Sequence, residues 1–298
     1  MRKIAIVGAG AVGSTWAVHL ARAGHDVTVV ARGSRLARIQ EDGNAIVSKG
    51  KEKDTTTNKT LVSVATALDP KETWDLVFVS ILAHQLDKAL IAILAACHPS
   101  THILFFFNTF ASLESYRQAI GAERCLSGFP NVWASIEKDG TLLYSFPSKS
   151  VVSDETWTAI FIDAGIPCTL EKDMESWLRA HAAAQVGFLS VIVPTGALDR
   201  GAKWAEAYHG ACVAHEAFAL VRKLGNQIIP TFVGILASLP IFLLASLYWF
   251  GSRVPTVRKR AQAGHRWRDE LINLSDSMIE QAPSPDDVRL IRQVRSRY

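Results

Sequence analysis

With 298 residues, 49% of them apolar and 20% charged, the chain is long and apolar enough to bury two separate cores and does not belong to the disordered class. A net charge of +4, with basic residues not laid out in stripes with stacking aromatics, excludes a nucleic-acid-binding protein. The four cysteines, Cys97, Cys125, Cys168 and Cys212, share no CxxC or metal-ligand spacing, so they read as reduced thiols of a cytoplasmic protein with no metal site.

The chain opens on an apolar strand, Ile4 to Val7, which leaves no room for a signal peptide. Gly8-Ala9-Gly10-Ala11-Val12-Gly13 follows at once, and an amphipathic helix from Ser14 to Ala23 comes after it, closed by Gly24. A strand, a G-x-G-x-x-G turn and a helix in that order form a dinucleotide pyrophosphate site. The first glycine makes the turn, the second admits the phosphates to the backbone, and the third brings helix and strand together. Gly8, Gly10, Ala11, Val12 and Gly13 are therefore cofactor-binding candidates.

The second strand, Asp26 to Ala31, ends in Arg32-Gly33-Ser34-Arg35, with no carboxylate before Glu41. An acid at this place would bind the ribose 2′-hydroxyl of NAD, whereas arginine suits the 2′-phosphate, so the cofactor reads as NADP(H). Arg32 is the phosphate ligand; Ser34 and Arg35 either add donors or lie on a solvated helix face.

A helix from Ser34 to Glu41 ends at Asp42-Gly43, and a polar stretch from Lys49 to Thr60 separates two short strand candidates. Asp75 to Ile81, DLVFVSI, is an unbroken apolar run suited to a strand buried on both faces. Leu82-Ala83-His84-Gln85 follows it, and a helix from Gln85 to Ala96 leads to another such strand, Ile103 to Phe107, which ends at Asn108. Ligands of an open parallel sheet lie beyond the carboxyl ends of its strands. Asn108 is therefore a candidate for the nicotinamide ribose or a substrate oxygen, or else a turn cap. Gln85 lines the nucleotide cleft or merely begins its helix.

Strands at Leu126 to Phe129, Leu142 to Phe146 and Ser150 to Val152 read as antiparallel or edge strands, and Asp154 caps a helix through Asp163. The sheet domain, Rossmann-like and doubly wound, is expected over 1–171, with an all-helical domain for substrate and dimerisation over 172–298. From Met174 the pattern is helical, broken at Pro194 to Gly201, Gly225 to Pro230 and Gly251 to Pro255. Helical spacing puts Trp177, His181 and Gln185 on one face and Glu175 with Arg179 on another. His181 is the candidate proton donor, against the alternative of a core histidine. Arg179 is a candidate anion contact, against a plain intrahelical pair with Glu175.

Ile228 to Phe250 carries no charge over a bilayer-spanning length, but Pro230 and Pro240 interrupt it. Buried helices, or helices at the interface of a homodimer, are the reading, with membrane attachment the alternative. The basic stretch from Arg253 to Arg268 reads as a solvated face.

These motifs together resemble the ketopantoate reductase (2-dehydropantoate 2-reductase) family. The segments KIAIVGAGAVGS, VTVVARGSRLARIQEDG and DLVFVSILAHQ carry the likeness. The resemblance implies NADPH at Gly8, Gly10, Gly13 and Arg32. It places Leu82 where a cofactor- or substrate-contacting lysine normally stands, and Asn108-Thr109 in place of Asn-Gly. The catalytic lysine of the family's Trp-Arg-Lys pattern falls on Trp177-Leu178-Arg179, hence on Arg179, and the asparagines after it fall on Ala183 and Gly187. A carboxylate-bearing segment matches loosely at Asp269-Glu270. The expectation is an NADP(H)-dependent reductase of the carbonyl or imine of a rather apolar small molecule. A nucleotide-binding sensor or partner protein without catalysis is the alternative.

Overall fold

The computed structural model describes residues 1–50, 57–81, 83–262 and 265–298, and of these the side chains of all but 50, 83–85, 87, 88, 260, 265 and 266. The chain forms two compact units, one of residues 1–107 with 113–174 and the other of 108–112 with 175–298. The short segment after the Ile103 to Phe107 run thus packs with the second half of the chain.

The first unit runs β1 (Lys3–Val7), α1 (Ala11–Arg22), β2 (Asp26–Val30), α2 (Gly33–Glu41), β3 (Ala45–Gly50), β4 (Thr57–Leu61), β5 (Ser63–Ala65), β6 (Leu76–Val79), α3 (Ala83–Ala95) and β7 (His102–Phe106). It continues through α4 (Glu114–Ile120), β8 (Cys125–Phe129), β9 (Trp133–Ile136), β10 (Leu142–Ser145), β11 (Ser150–Val152), α5 (Glu155–Asp163) and β12 (Cys168–Leu170). Its main sheet has the order β12-β11-β8-β7-β6-β1-β2-β5, parallel except where β11 meets β8. From β1 the chain winds to β2 and β5 on one side, then to β6, β7 and β8 on the other, so the strand order reverses between β1 and β6. The glycine turn leaves β1 at that reversal, the place where doubly wound sheets hold ligands.

The unbroken apolar strands are explained by covering layers on both faces. Ile4, Ile6, Leu76, Phe78, Leu104 and Phe106 pack under α1 and α5, while Ala5, Val77, Val79, Ile103 and Phe105 pack on the opposite side with Leu86 and Ile93 of α3. Trp16 of α1 is fully buried, 5.7 Å from the Phe78 ring and 4.8 Å from that of Phe106. Burial of its side chain contributes on the order of 2–3 kcal/mol.

Two expectations are corrected here. The helix after the glycines is not amphipathic: residues 13–18 of α1 are all buried, because a second sheet of order β4-β3-β10-β9 covers its outer side. Arg22 donates from Nε to Thr60 Oγ1 (3.0 Å) on that sheet, and His19 lies against Tyr144 and Phe146. The strand at Leu126 to Phe129 is antiparallel to β11, as expected, but it is not an edge: it is fully buried and runs parallel to β7 on its other side. Its glycine at 128 leaves no room for a side chain beside Phe106, which makes the run look weaker as a strand than it is.

The second unit is helical among its described residues: α6 (Met174–Ala197), α7 (Trp204–Lys223), α8 (Thr231–Ser238), α9 (Ile241–Gly251), α10 (Pro255–Gln262), α11 (His265–Gln281), a 3₁₀ turn (Pro285–Val288) and α12 (Arg289–Arg295). α6 runs through Pro194 instead of breaking there, ending at Ala197. It crosses α7 at close range: a Cβ on Gly187 would stand 2.4 Å from Ala214 Cβ, and one on Gly210 2.2 Å from Val191 Cγ2. Glu216 of α7 accepts from the N–H groups of Leu290 (3.0 Å) and Ile291 (2.9 Å), satisfying donors that the start of α12 leaves free.

The apolar run from Ile228 to Phe250 becomes α8 and α9, bent by 114°. Val233, Ala237, Leu244 and Ala245 face the core, while Phe232, Ile235, Phe242, Leu247 and Phe250 are exposed. Among the described residues, α6 alone is a single helix long and apolar enough to cross a membrane, and 67% of its apolar window is buried in the unit.

Candidate functional site

The glycine turn opens on a cavity of about 1220 Å³. Gly8, Ala9 and Gly10 line it together with Arg32, Ser34, Arg35 and Arg38 of the α2 region, and with Glu137, Lys138 and Gly140 of the turn between β9 and β10. The three glycines are bare for three different reasons. Gly8 has φ +111°, and a Cβ there would lie 2.5 Å from Ser80 O. A Cβ on Gly13 would lie 2.1 Å from Gly8 O, so its absence lets α1 approach β1. At Gly10 a Cβ would meet nothing within 4 Å, and the backbone, φ −67° and ψ −178°, suits any residue.

No protein atom therefore requires a glycine at 10, and the space beside it belongs to the cavity. Gly10 is also the N-cap of α1, with no side chain accepting from the first amides and no acidic residue in the first turn. Donors at Ala11, Val12 and Gly13 stand at the positive end of the helix, as a pyrophosphate needs. The residues present fit a dinucleotide.

Arg32 is the N-cap residue of α2, exposed and lining the cavity, and among the described residues no hydrogen bond or ion pair engages its guanidinium. Arg35 behaves otherwise. Its Nε donates to Ala9 O (3.1 Å), Nη2 to Ser14 Oγ (3.1 Å) and Nη1 to Gly140 O (3.2 Å), so it ties the glycine turn to the β9–β10 turn. Neither the free phosphate donor nor the solvated charge considered from sequence describes it, and burial lowers its pKa. Leu82 and the side chain of Gln85 lie outside the described residues.

A second cluster belongs to the helical unit. Asn108, the second residue beyond β7, donates from Nδ2 to Glu270 Oε1 of α11 (2.8 Å) and to Gln185 Oε1 of α6. The two acceptors fix the amide orientation, since the flipped amide would set its oxygen against two others. Asn108 Oδ1 is thereby left buried with no hydrogen-bond partner among the described residues, an acceptor waiting for a donor. Gln185 and Glu270 were given no role from sequence; the signals for them were the spacing of Gln185 four residues after His181 and the loose match of the resembling family's carboxylate-bearing segment at Asp269-Glu270.

Arg179 is buried, and its donors are taken. Nη2 pairs with Glu175 Oε1 (3.1 Å), Nε reaches Phe110 O (3.2 Å), Nη1 reaches Asn226 Oδ1, and Nη2 also faces Gln281 Oε1 (3.4 Å). The intrahelical pair is thus real and forms part of a hub joining α6 to the 108–112 segment and to α11; burial lowers the guanidinium pKa, which stays ionised.

His181 stacks on Trp177, centroids 5.0 Å apart at 9°, and desolvation pushes its pKa down to about 4. Its imidazole is neutral at pH 7. Ala183 is fully buried, and Gly187 sits in the α6–α7 crossing, so the two places where the resembling family has asparagines are occupied by packing.

A family model described as ketopantoate reductase PanE/ApbA matches residues 4–155. Among solved structures, the chain is similar to a PanE/ApbA family ketopantoate reductase from Ralstonia eutropha JMP134 (TM-score 0.74, 22% identity, covering 99% of this chain and 97% of that one). It is also similar to a dimeric ketopantoate reductase from Staphylococcus aureus (TM-score 0.69, 13% identity, 99% and 96%). A D-mandelate dehydrogenase in ternary complex with NADH and anilino(oxo)acetate is a third (TM-score 0.69, 14% identity, 99% and 98%). At these identities the structures speak for the fold, and no curated protein sequence gives a significant match. With more than half of its length matched by the family model, a phosphate-ready glycine turn and this fold, the chain belongs to the ketopantoate reductase PanE/ApbA family, and so to the nicotinamide-dependent oxidoreductases.

Proposed function

We propose that the protein is an NADP(H)-dependent reductase of a carbonyl or imine carried by a rather apolar small molecule. The observation that carries the reading is Gly10, bare without any protein reason, on an uncapped helix N-terminus in the cavity that Arg32 lines. When bound, the nicotinamide supplies the hydride. The chain's own residues hold the phosphates at the start of α1 and face the 2′-phosphate with Arg32, and in the helical unit Asn108 offers its Oδ1 to a donor on the substrate. Glu270 and Gln185 orient that amide.

An apolar substrate fits the aromatic surroundings of α6, where Trp177 and Phe188 lie, and the phenyl-bearing oxo-acid derivative bound to the similar D-mandelate dehydrogenase supports the same class. His181 is the group assigned to supply the proton that accompanies the hydride; burial holds its pKa down at about 4, so turnover is expected to rise as the pH is lowered, whereas Asn108, a neutral amide, hydrogen-bonds the reacting group without protonating it. The test is NADPH oxidation, followed by absorbance, with a panel of aryl- and alkyl-substituted 2-oxo acids and imines, and with His181→Gln and Asn108→Ala alongside. Saturable turnover with an apolar member and loss of it in Asn108→Ala support the assignment.

A second reading, a nucleotide-binding sensor without turnover, is favoured by the occupied donors of Arg179 and the packed glycine at 187. Consumption of NADPH with any panel member argues against it. We further propose a cytoplasmic homodimer joined through the exposed apolar side chains of α8 and α9; the dimeric relative from Staphylococcus aureus supports the dimer, and the exposure of Phe232, Phe242 and Phe250 supports the face.

A further inference from the structure

The β9–β10 turn lies about a hundred residues beyond the glycine motif, yet it walls the same cavity. It is built to hold one shape. Glu137 N donates to Thr141 O (2.9 Å), Gly140 N to Glu137 O (2.9 Å), and Thr141 N to Asp139 Oδ1 (2.9 Å). Gly140, at φ +85°, lies flat on the Arg38 side chain, where a Cβ would come within 2.7 Å of Arg38 Cγ, and its carbonyl accepts from Arg35. The turn is thereby pinned to α2, the helix that begins beside Arg32.

Four cations line this cavity: Arg32, Arg35, Arg38 and Lys138. Arg35 is committed to Ala9, Ser14 and Gly140, and Arg38 to Asp42 (3.1 Å) and Glu41 (3.8 Å). Arg32 and Lys138 have no hydrogen bond or ion pair among the described residues, and both are exposed to the cavity's solvent. A phosphate monoester carries close to two negative charges at neutral pH and binds best where more than one cation meets it. We propose that Lys138, at the tip of the β9–β10 turn, is the second cation of the 2′-phosphate subsite, lining the same cavity as Arg32, and so helps to set the preference for NADPH over NADH. Arg35 then acts as a positioning residue, fixing the turn to the glycine motif. The inference rests on the NADP(H) reading above.

The experiment titrates the full-length protein with NADPH, NADH and adenosine 2′,5′-bisphosphate, by nucleotide fluorescence or calorimetry, for wild type, Lys138→Ala, Lys138→Arg and Arg32→Ala. Lys138 is exposed, so its substitution leaves the fold intact. Expected for Lys138→Ala are affinities about tenfold weaker for NADPH and the bisphosphate, the size of one charged contact, with NADH unchanged and the arginine variant close to wild type. If Arg32→Ala weakens NADPH while Lys138→Ala leaves all three affinities alone, the Lys138 assignment is overturned and the NADP(H) reading stands. If wild type prefers NADH and Arg32→Ala changes nothing, the NADP(H) reading itself fails and the Lys138 assignment falls with it.

Discussion

Replacing Gly10 by alanine separates the two things a glycine motif does. At φ −67° and ψ −178°, with nothing within 4 Å of the added Cβ, the folded protein accepts the methyl group. The gain of about 0.4–1 kcal/mol from a less flexible unfolded chain is offset by alanine's poorer fit at a helix N-cap. The unliganded protein should therefore unfold within about 1 kcal/mol of wild type. Its nucleotide affinity should collapse, because the methyl stands where the pyrophosphate must approach. Hydrogen bonds to charged phosphate oxygens contribute about 1.5–3 kcal/mol each, so losing one or two costs about 3 kcal/mol, or roughly 150-fold in Kd.

Gly13→Ala makes the opposite pattern: its Cβ would lie 2.1 Å from Gly8 O, so stability itself should drop. Thermal denaturation with and without saturating NADPH, combined with direct titration, reads both variants. The reasoning is refuted if Gly10→Ala binds NADPH as wild type does, for then the open space beside that glycine is not where the phosphates lie.

Arg179→Met should lower unfolding free energy by about 3–5 kcal/mol in urea titrations, since it removes the centre of a buried hub and takes the donors away from Phe110 O and Asn226 Oδ1; a loss below about 1 kcal/mol would show that the hub is ornamental. For His181 the folded pKa of about 4 lies below the ordinary value of 6.5, so between those two pH values the unfolded chain binds more protons. Stability is then full above pH 6.5 and falls as the pH is lowered toward 4, by about 2 kcal/mol once partial exposure is allowed for. His181→Gln should flatten that part of the curve, and an unchanged slope would refute the burial argument. Phe242→Ser with Phe250→Ser should convert the dimer to monomer by light scattering; a wild-type protein already monomeric at working concentration, or recovered only with detergent, would refute that interface.

The nucleotide half of the molecule was legible because its chemistry is local in sequence. β1, the glycines and Arg32 lie within one strand-turn-helix-strand unit, and backbone sterics alone explain Gly8 and Gly13. The second sheet was not legible, for it joins β3 and β4 to β9 and β10 across some eighty residues, and such short half-exposed strands carry little periodicity. The role of Arg35 was hidden for the same reason: its partners Ala9, Ser14 and Gly140 come from three separate places in the chain. Asn108 could be found by its position after a parallel strand, but Glu270, 162 residues away, becomes its partner only through folding. Arg179 shows a limit of analogy, because a residue standing in the place of a catalytic lysine was drawn instead into holding helices together.

The α6–α7 crossing has a consequence for what this scaffold can become. Gly187 and Gly210 let two helix backbones approach until neither position tolerates even a methyl group. An asparagine could stand at 187 only if the helices first moved apart, which would open the core around Val191, Ala211 and Ala214. No single substitution achieves both. The crossing therefore works as a lock: the facing helix excludes any side chain at 187 and 210, so position 187 cannot gain a polar group by point mutation while the two helices stay packed. Gln185, on α6 but outside the seam, and its neighbours Asn108 and Glu270, which come from other segments, can be exchanged without reopening that crossing.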